Sequence, residues 1–506
     1  MAKTEWLPHL KNSIPDGARG YTVSMYAIAL EGWRRGLTLK FINKNRRKSE
    51  TIYTLSSSEK EHHFTVSFGD KNTNEARKFC KDKHKTKQRL LEEGVSTPQG
   101  ELFVEGTPDE EIISYAEKLG YPLVLKPSDG TGGKGVIANI KNYQEFVEAL
   151  TYVKGDLKQT NVIVEKYFAG KDHRIYVVGD KVIGAYTRMP ANVIGDGKRN
   201  VKQLLQSNMK ERNNNPALFR RTIKVDKEMK NMLKEKGYTM ESIPKKDERV
   251  YLKSKSNVSA GGESVDVTDN ISDAVKDIAI NAVAAIPGLQ HAGVDLMINS
   301  EGNDGVVLEI NTQASINSHL YPMEGKARDI PKALIDLYFP ETISKYEKNA
   351  NRFYFDYPTI YSLFQMNVIN ECTVSPVPTG DITSSRLEIQ NIDDYTKYAS
   401  WVKKQAINNK INGYIKKLVN GIISVVISGE VSNSNKFKKK LIDTNLNDNK
   451  DIIEKTRKSP VKMGFDVLSD FNQKNKGNEN SVKVLSSITE YEYKPVTIED
   501  VRKKLK

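Results

Sequence analysis

Only two cysteines occur in the 506 residues, Cys80 and Cys372. Their surroundings, KFCKDK and NECTV, share no metal-ligand spacing, which excludes a disulfide framework and fits a reducing cytoplasm. Long apolar runs are missing too: no stretch of 18 or more apolar residues exists, so no transmembrane helix is expected. The start of the chain, MAKTEWLPHLKNS, lacks the apolar core of a signal peptide. No internal repeat is visible, and no stripe of basic residues alternates with exposed aromatics as a nucleic-acid surface requires. A cytoplasmic protein with neither a membrane nor a nucleic-acid partner is the resulting expectation.

The length is ample for several domains with real cores. Hydrophobic residues make up 38% and charged residues 28%, a soluble-globular balance, and the formal charge is +14. Such an excess describes either a lysine-rich solvated surface or an anionic partner, and charge alone does not choose between them.

The chain reads as alternating helices and strands. Val23, Tyr26, Ala27 and Leu30 fall at helical spacing, and Gly36 stops the helix. The strand patterns LTLKFINK, TIYTLSS and HFTVSFG follow. One helix is expected over NTNEARKFCKDKHKTKQRLLEEG, ending at Gly94, and another from TPDEEII, where Thr107, Pro108 and the acidic pair suit an N-terminus. Residues 200–250 read as a polar helical insertion. Ile271, Val275, Ile278, Ala282 and Ile286 mark one face of a helix ahead of two strands, AGVDLMI and GVVLEIN. Residues 432–480 carry the weakest structural signals, and parts of them are expected to be mobile.

Three places carry chemistry. Tyr121–Val136, YPLVLKPSDGTGGKGV, is a buried-strand pattern ending in Lys126 and running into a glycine-rich loop. Glycines let successive N–H groups form an anion nest, and a lysine at a strand end supplies a point charge for a phosphate oxygen. A plain strand and turn is the alternative. Glu165 and Asp172 flank a strand-to-loop junction able to hold an adenine amino group and a ribose, or are simple surface charges. Asp295 points away from Val294 and Leu296, while Glu309 and Asn311, two apart, share one strand face. Three hard oxygen ligands on neighbouring strands suit Mg²⁺, or Mn²⁺, bridging nucleotide phosphates.

At this point the chain resembles an ATP-grasp ligase of the cyanophycin synthetase type and of the ligase half of bifunctional glutathione synthetase. The stretches that carry the resemblance are KDKHKTKQRLLEEGVSTPQG, LVLKPSDGTGGKGV, VEKYFAGKDHRIYVVGDKVIGAYTRMPANVIGDG, YLKSKSNVSAGGESVDVTD, and HAGVDLMI with VVLEINTQASINSHLYPMEGKARDIPKALIDLYFPE, over roughly residues 80–341. The resemblance implies an α/β (α+β) chain. It would have a pre-ATP-grasp α/β domain at 1–80, an ATP-grasp domain at 81–345 with a lid near 118–168, a connector at 346–380 and a further domain at 381–506. It implies ATP and Mg²⁺ as cofactors, an amino acid or small peptide carboxylate and an amine as substrates, and a homo-oligomer. A peptide or protein carboxylate is the alternative substrate, and a nucleotide-binding regulator without turnover the alternative class.

Residue by residue, Lys83 and Lys126 would contact ATP phosphates, under a lid loop that holds Ser128, Gly132, Gly133 and Gly135. Glu165 and the backbone of Lys166 and Phe168 would hold adenine, and Asp172 the ribose. Asp295, Glu309 and Asn311 would hold metal. Arg174 and Arg188 would grip phosphate or a substrate carboxylate. Asn257 and Ser259, with Gly261 and Gly262, would loop over the reacting acyl group, and His319 and Arg328 would lie near the acceptor. The loop after Asn311, TQASIN, lacks the Pro or Gly often found there, which leaves the substrate open.

A second resemblance covers YASWVKKQAINNKINGYIKKLVNGIISVVISG, which is similar to the helix and hairpin of acylphosphatase. The arginine and asparagine that such a hydrolase needs are replaced by Ala399 and Lys417. The resemblance implies a ferredoxin-like fold without the hydrolysis.

Overall fold

A computed structural model describes residues 4–45, 50–128, 135–254, 256–258, 261–345, 348–390, 392–444 and 452–468. The expected lid glycines Gly132 and Gly133, the loop residue Ser259, residues 445–451 and 469–480 of the stretch expected to be partly mobile, and residues 481–506 lie outside the described residues. The chain divides into two compact units, one made of residues 1–351 and 364–377, the other of 352–363 and 378–506. The stretch expected as a connector, 346–380, is thus shared between the units.

The first unit opens with helix α1 (Val23–Arg34), all twelve residues of which are buried. The apolar stripe at 23, 26, 27 and 30 is therefore only part of its buried surface, since Met25, Ile28, Ala29 and Trp33 are enclosed as well. Its polar groups survive burial because they are paired: Glu31 with Arg35 at 2.8 Å, and Arg35 in turn with Asp336 at 2.6 Å. The antiparallel strands β1 (Thr38–Asn45), β2 (Glu50–Ser56), β3 (Glu61–Thr65) and β4 (Phe68–Gly69) follow, with a late strand, Glu371–Thr373, added beside β1.

The single helix expected up to Gly94 is two, α2 (Asn74–Lys81) and α3 (Lys83–Glu92). Asp82 breaks it. Its side chain accepts from the Lys85 N–H at 3.1 Å and caps the second helix, an N-cap worth about 1 kcal/mol that competes with continued helix.

Strands β5 (Gly100–Phe103), β6 (Leu123–Pro127), β7 (Ile137–Ile140) and β8 (Val162–Lys166) form a sheet in the order β5-β8-β6-β7. Helices α4 (Asp109–Leu119) and α5 (Tyr143–Thr151) cover one face through Ile112, Ala116, Phe146 and Leu150, against Leu123, Leu125, Val162 and Val164. Strand alternation turns Val124, Lys126 and Glu165 to the other face.

A second antiparallel sheet, in the order β13-β10-β9-β14-β15, joins β9 (Lys171–Val178), β10 (Lys181–Met189), β13 (Glu263–Asp266), β14 (His291–Ile298) and β15 (Gly305–Asn311). Helix α8 (Asp273–Ala284) packs Val275, Ala279 and Ala282 onto Ile175, Val177, Val294 and Leu296. The insertion at 200–250 is not wholly helical. It holds α6 (Val201–Asn214) and α7 (Lys227–Glu235), and its last strand, β12 (Arg249–Tyr251), pairs with β11 (Asn192–Ile194). Leu204, Leu205, Met229 and Leu233 bury one face of each helix against Val193 and Val250, which gives this polar segment its own small core.

In the second unit, strands Ile382–Ile389, Asn412–Lys417, Ile423–Glu430 and Ile453–Thr456 form an antiparallel sheet in the spatial order fourth, first, third, second. Helices Tyr395–Asn408 and Val431–Ile442 connect the first strand to the second and the third to the fourth. Phe465–Leu468 joins parallel to the second strand. Tyr398, Val402, Ala406, Phe437 and Leu441 cover Leu387, Ile415, Val425 and Ile427.

Candidate active site

A row of side chains crosses the β13-β10-β9-β14-β15 sheet. Asp266 stands opposite Tyr186, Tyr186 opposite Arg174, Arg174 opposite Asp295, and Asp295 opposite Glu309. Directly opposed residues share a face, so five strands bring these groups together on the side away from α8. A bulge after Asp295 makes this register possible: Leu296 faces Val307, Leu308 is left over, and Glu309 falls opposite Asp295. Asn311, two residues on, shares the face and donates to Asp295 Oδ2 at 3.3 Å.

Asp295 is held by charge. Arg174 donates to both of its oxygens, with Nη2 2.7 Å from Oδ2 and Nε on Oδ1, and Arg188 Nη2 lies 3.2 Å from Oδ1. Burial pushes the Asp295 carboxyl up, but the two guanidiniums outweigh it and hold the group below the usual carboxylate range. Arg188 also reaches Asp172 Oδ2 at 2.5 Å. Glu309 is half-buried and has no ion-pair or hydrogen-bond partner among the described residues.

A second cluster sits on the open face of the β5-β8-β6-β7 sheet. Glu165, 5% exposed, is clamped by Lys126 at 2.5 Å and Lys87 at 3.0 Å. Burial opposes the charge, and the two lysines hold the carboxyl below its ordinary value. Gly100 lies opposite Glu165 on β5, where a Cβ would come 2.1 Å from the Val164 carbonyl oxygen; the floor admits only glycine there.

One cavity of 1490 Å³ joins the two clusters. It is lined by Lys83, Lys126, Ser128, Glu165, Lys166, Phe168, Asp172, Arg174, Arg188, Asn257, Asp295, Glu309 and Asn311. Thirteen of the residues singled out in the sequence thus meet in one space. Five others among the described residues do not line it. Gly135, at φ +73°, leaves no room for a Cβ, which would meet Pro127 at 2.9 Å. Gly261 (φ +102°) and Gly262 close a turn in which the Gly262 N–H donates to the Asn257 carbonyl at 2.9 Å. A Cβ on Gly262 would sit 2.0 Å from Ser256 O, so the glycines make the loop tight and turn Asn257 and Val258 to the cavity. His319 and Arg328 are not cavity residues. His319 is 2% exposed, packs edge-on against Tyr186 with ring centroids 4.7 Å apart, and is held neutral by burial. Arg328 is committed to Asp266 at 2.6 Å and to Asp269 at 2.9 Å.

Sequence reasoning missed Lys87, which clamps Glu165, and also Arg77, Tyr21 and Arg221, which line the cavity. Lys87 was readable: it follows Lys83 by four residues and so shares its helix face. Tyr21 and Arg221 were not, because they come from segments far apart in the chain.

The residues also suit a divalent ion. Asp295 and Glu309 supply two carboxylates and Asn311 an amide oxygen. Among the described residues no three His, Cys, Asp or Glu side chains gather as a metal cage. A cation that shares its ligands with phosphate needs only one or two carboxylates from protein.

The ATP-grasp domain family matches residues 80–315. This stretch is an ATP-grasp domain. Cyanophycin synthetase from Geminocystis herdmanii is 34% identical over 267 residues, 51% of this chain and 30% of that protein. The bifunctional glutathione biosynthesis protein of Desulfotalea psychrophila is 32% identical over 262 residues, 50% of this chain and 33% of that one. The match therefore spans about a third of these relatives' length. A crystal structure of a bifunctional glutathione synthetase from Pasteurella multocida aligns over 57% of this chain and 40% of that one, with a TM-score of 0.47 at 27% identity. The strands of the ATP-grasp domain are those that carry Lys126, Glu165, Arg174, Arg188, Asp295, Glu309 and Asn311.

Proposed function

We propose that this chain is an ATP-dependent carboxylate–amine ligase that forms an amide bond on an amino acid or peptide and releases ADP and phosphate. The observation that carries the reading is the single cavity shared by two clusters. The lysines of one and the arginines of the other supply cations for phosphate oxygens, and the Asp295–Glu309–Asn311 face supplies hard oxygen ligands for a divalent ion. Relatives named for cyanophycin synthesis and for glutathione biosynthesis share this stretch.

The chemistry follows from charge. A carboxylate is a poor acylating agent. ATP, bound with a divalent ion, supplies the phosphoryl group that turns it into an acyl phosphate. The substrate carboxylate oxygen bonds to the γ-phosphorus as the bond to ADP breaks. An amine then attacks the acyl carbon, phosphate leaves, and the amine proton passes to solvent or a base. In this reading Lys83 and Lys126 draw charge from the phosphates. Glu165 keeps Lys126 at the end of its strand. Phe168, Val124 and Ala138 offer an apolar bed for the adenine, and Asp172 receives the ribose. Arg174 and Arg188 neutralise the oxyanion, and the Asn257 loop closes over the acyl group to exclude water.

The test is product identity. ADP with phosphate is expected from a screen of amino acids and dipeptides, with amide products identified by mass. AMP with pyrophosphate would overturn the acyl-phosphate route, and nucleotide binding without any product would leave a regulator.

The second unit is read as a ferredoxin-like domain of acylphosphatase type that acts by binding. The antiparallel order of its first four strands, with two helices on one face, supports the fold. Ala399 is buried at 1% exposure in its first helix, where it offers neither charge nor hydrogen bond to a phosphate.

A further inference from the structure

Three segments far apart in sequence meet at one end of the cavity. The Gly20 N–H donates to the Pro216 carbonyl at 2.8 Å. Asn317 Nδ2 donates to the Gly20 carbonyl at 2.6 Å, and Ser24 Oγ donates to Asn317 Oδ1 at 2.5 Å. These bonds fix the turn before α1, the end of the α6 insertion and the loop after β15 against one another. Each segment then sends groups into the cavity wall: Tyr21 from the first, Ala217, Leu218 and Arg221 from the second, Ser315 and Asn317 from the third.

The pair Tyr21 and Arg221 is unusual. Tyr21 is 82% exposed, yet its ring is covered on one side by the Arg221 guanidinium, 4.5 Å from the ring centroid. A guanidinium stacked on an aromatic face keeps its in-plane N–H donors directed outward. Arg221 has no carboxylate within ion-pair distance among the described residues, and its Nε has no hydrogen-bond acceptor. Three other cations of the cavity are paired: Lys126 with Glu165, and Arg174 and Arg188 with Asp295. Next door, two more guanidiniums, Arg220 and Arg19, each lie 5.1 Å from the Phe219 ring, Arg19 also pairing with Asp16 at 3.3 Å. A half-enclosed guanidinium such as Arg221, with no carboxylate beside it among the described residues and laid on an aromatic ring, is a receptor for a group that brings its own negative charge and some hydrocarbon.

We infer that Tyr21 and Arg221 form a subsite for an acidic side chain of a peptide substrate, one residue or more from the reacting carboxyl. The inference rests on the ligase reading only in taking the cavity as a substrate site. The side chain's methylenes lie on the Tyr21 ring and Leu218, and its carboxylate meets the Arg221 fork in two parallel hydrogen bonds. A bare phosphate would use the charge but leave the apolar wall unfilled, which favours the peptide.

The test is calorimetric titration of the full chain, in Mg²⁺ and a non-hydrolysable ATP analogue, with Glu-Glu-Glu and with Gln-Gln-Gln. Glu-Glu-Glu is expected to bind at least tenfold tighter than Gln-Gln-Gln. Arg221→Gln should remove that preference, and Arg221→Lys should keep part of it. Tyr21→Ala should weaken both peptides about equally. If Arg221→Gln fails to fold, as judged by its melting curve, the Arg221→Lys and Tyr21→Ala results decide in the same way. Absence of Glu-Glu-Glu binding, equal binding of the two peptides, or an unchanged preference in the Arg221 variants would overturn the subsite. Displacement of Glu-Glu-Glu by inorganic tripolyphosphate, with tripolyphosphate binding itself lost in Arg221→Gln, would assign the charge to phosphate and also overturn it. Binding of the ATP analogue, measured on the same samples, tests the nucleotide reading separately.

Discussion

Arg174 grips Asp295 by both carboxylate oxygens from the directly opposed position on the neighbouring strand. Glu309, opposed to the same aspartate from the other side, has no ion-pair or hydrogen-bond partner for its side chain among the described residues. The two carboxylates therefore differ in what they hold together. Asp295→Asn is expected to destabilise the fold on the order of 3 kcal/mol, since it leaves the Arg174 guanidinium without its counter-charge and takes from Arg188 one of its two, Asp172 remaining. Glu309→Ala is expected to leave stability within about 0.5 kcal/mol and to lower turnover about a thousandfold through lost charge neutralisation. Urea unfolding and ADP release check the two halves. Near-normal turnover in Glu309→Ala with Mg²⁺ present would misplace the site.

Two histidines make the stability fall in acid. Burial pushes His291 down to about 3 and holds His319 well below its ordinary value. Each stays neutral in the fold but takes up a proton in the unfolded chain below about pH 6.5. Their contribution is thus complete above that pH and is lost as pH falls towards the folded value. The slope is about 1.4 kcal/mol per pH unit for each group. His291→Gln, which keeps a polar group near Tyr176 and Tyr338, should reduce the slope between pH 4 and 6 by about that amount in urea titrations. An unchanged slope would mean that His291 is solvated.

Gly262→Ala should be costly out of proportion to its size. Its Cβ would press on the Ser256 carbonyl at 2.0 Å, and backbone cannot yield as a side chain does. A destabilisation of about 1–3 kcal/mol is expected, with a rise in uncoupled ATP hydrolysis as the Asn257 loop is pushed aside. Full coupling in a folded Gly262→Ala protein would show that the loop does not guard the reacting group.

The whole chain, without ATP, is expected not to hydrolyse benzoyl phosphate above background. Hydrolysis needs a fixed cation and a group that aligns water, and Ala399 supplies neither. Lys417, at the end of its strand, is a flexible cation and not a two-point amide. Catalysed release of benzoate that survives Glu309→Ala would revive a hydrolytic role for the second unit.

Much of the site was legible because it lies on strands. Strand alternation places Glu309 and Asn311 together and sets Asp295 apart from Val294 and Leu296, and these follow from counting by two. Lys126 at a strand end before glycines was equally plain. Helix ends were less so: Asp82 splits a continuous polar pattern because its side chain competes for the backbone, a contest that periodicity does not record. The polar 200–250 stretch hid a strand and a small core, since Leu204, Leu205, Met229 and Leu233 are widely spaced among charges.

The amino-acid order by itself determined the strand faces, the glycine turns and the lysine and carboxylate types that suit a nucleotide and a divalent ion. Only the tertiary structure decided the pairings: the bulge that sets Glu309 against Asp295, the Lys87–Glu165–Lys126 clamp, the burial of His319 away from the cavity, and the meeting of Tyr21 with Arg221 across 200 positions of chain. Local spacing follows from backbone geometry, which repeats every two or every 3.6 residues. Which distant charge neutralises which depends on how the sheets, helices and insertion pack, and no short stretch of sequence contains that.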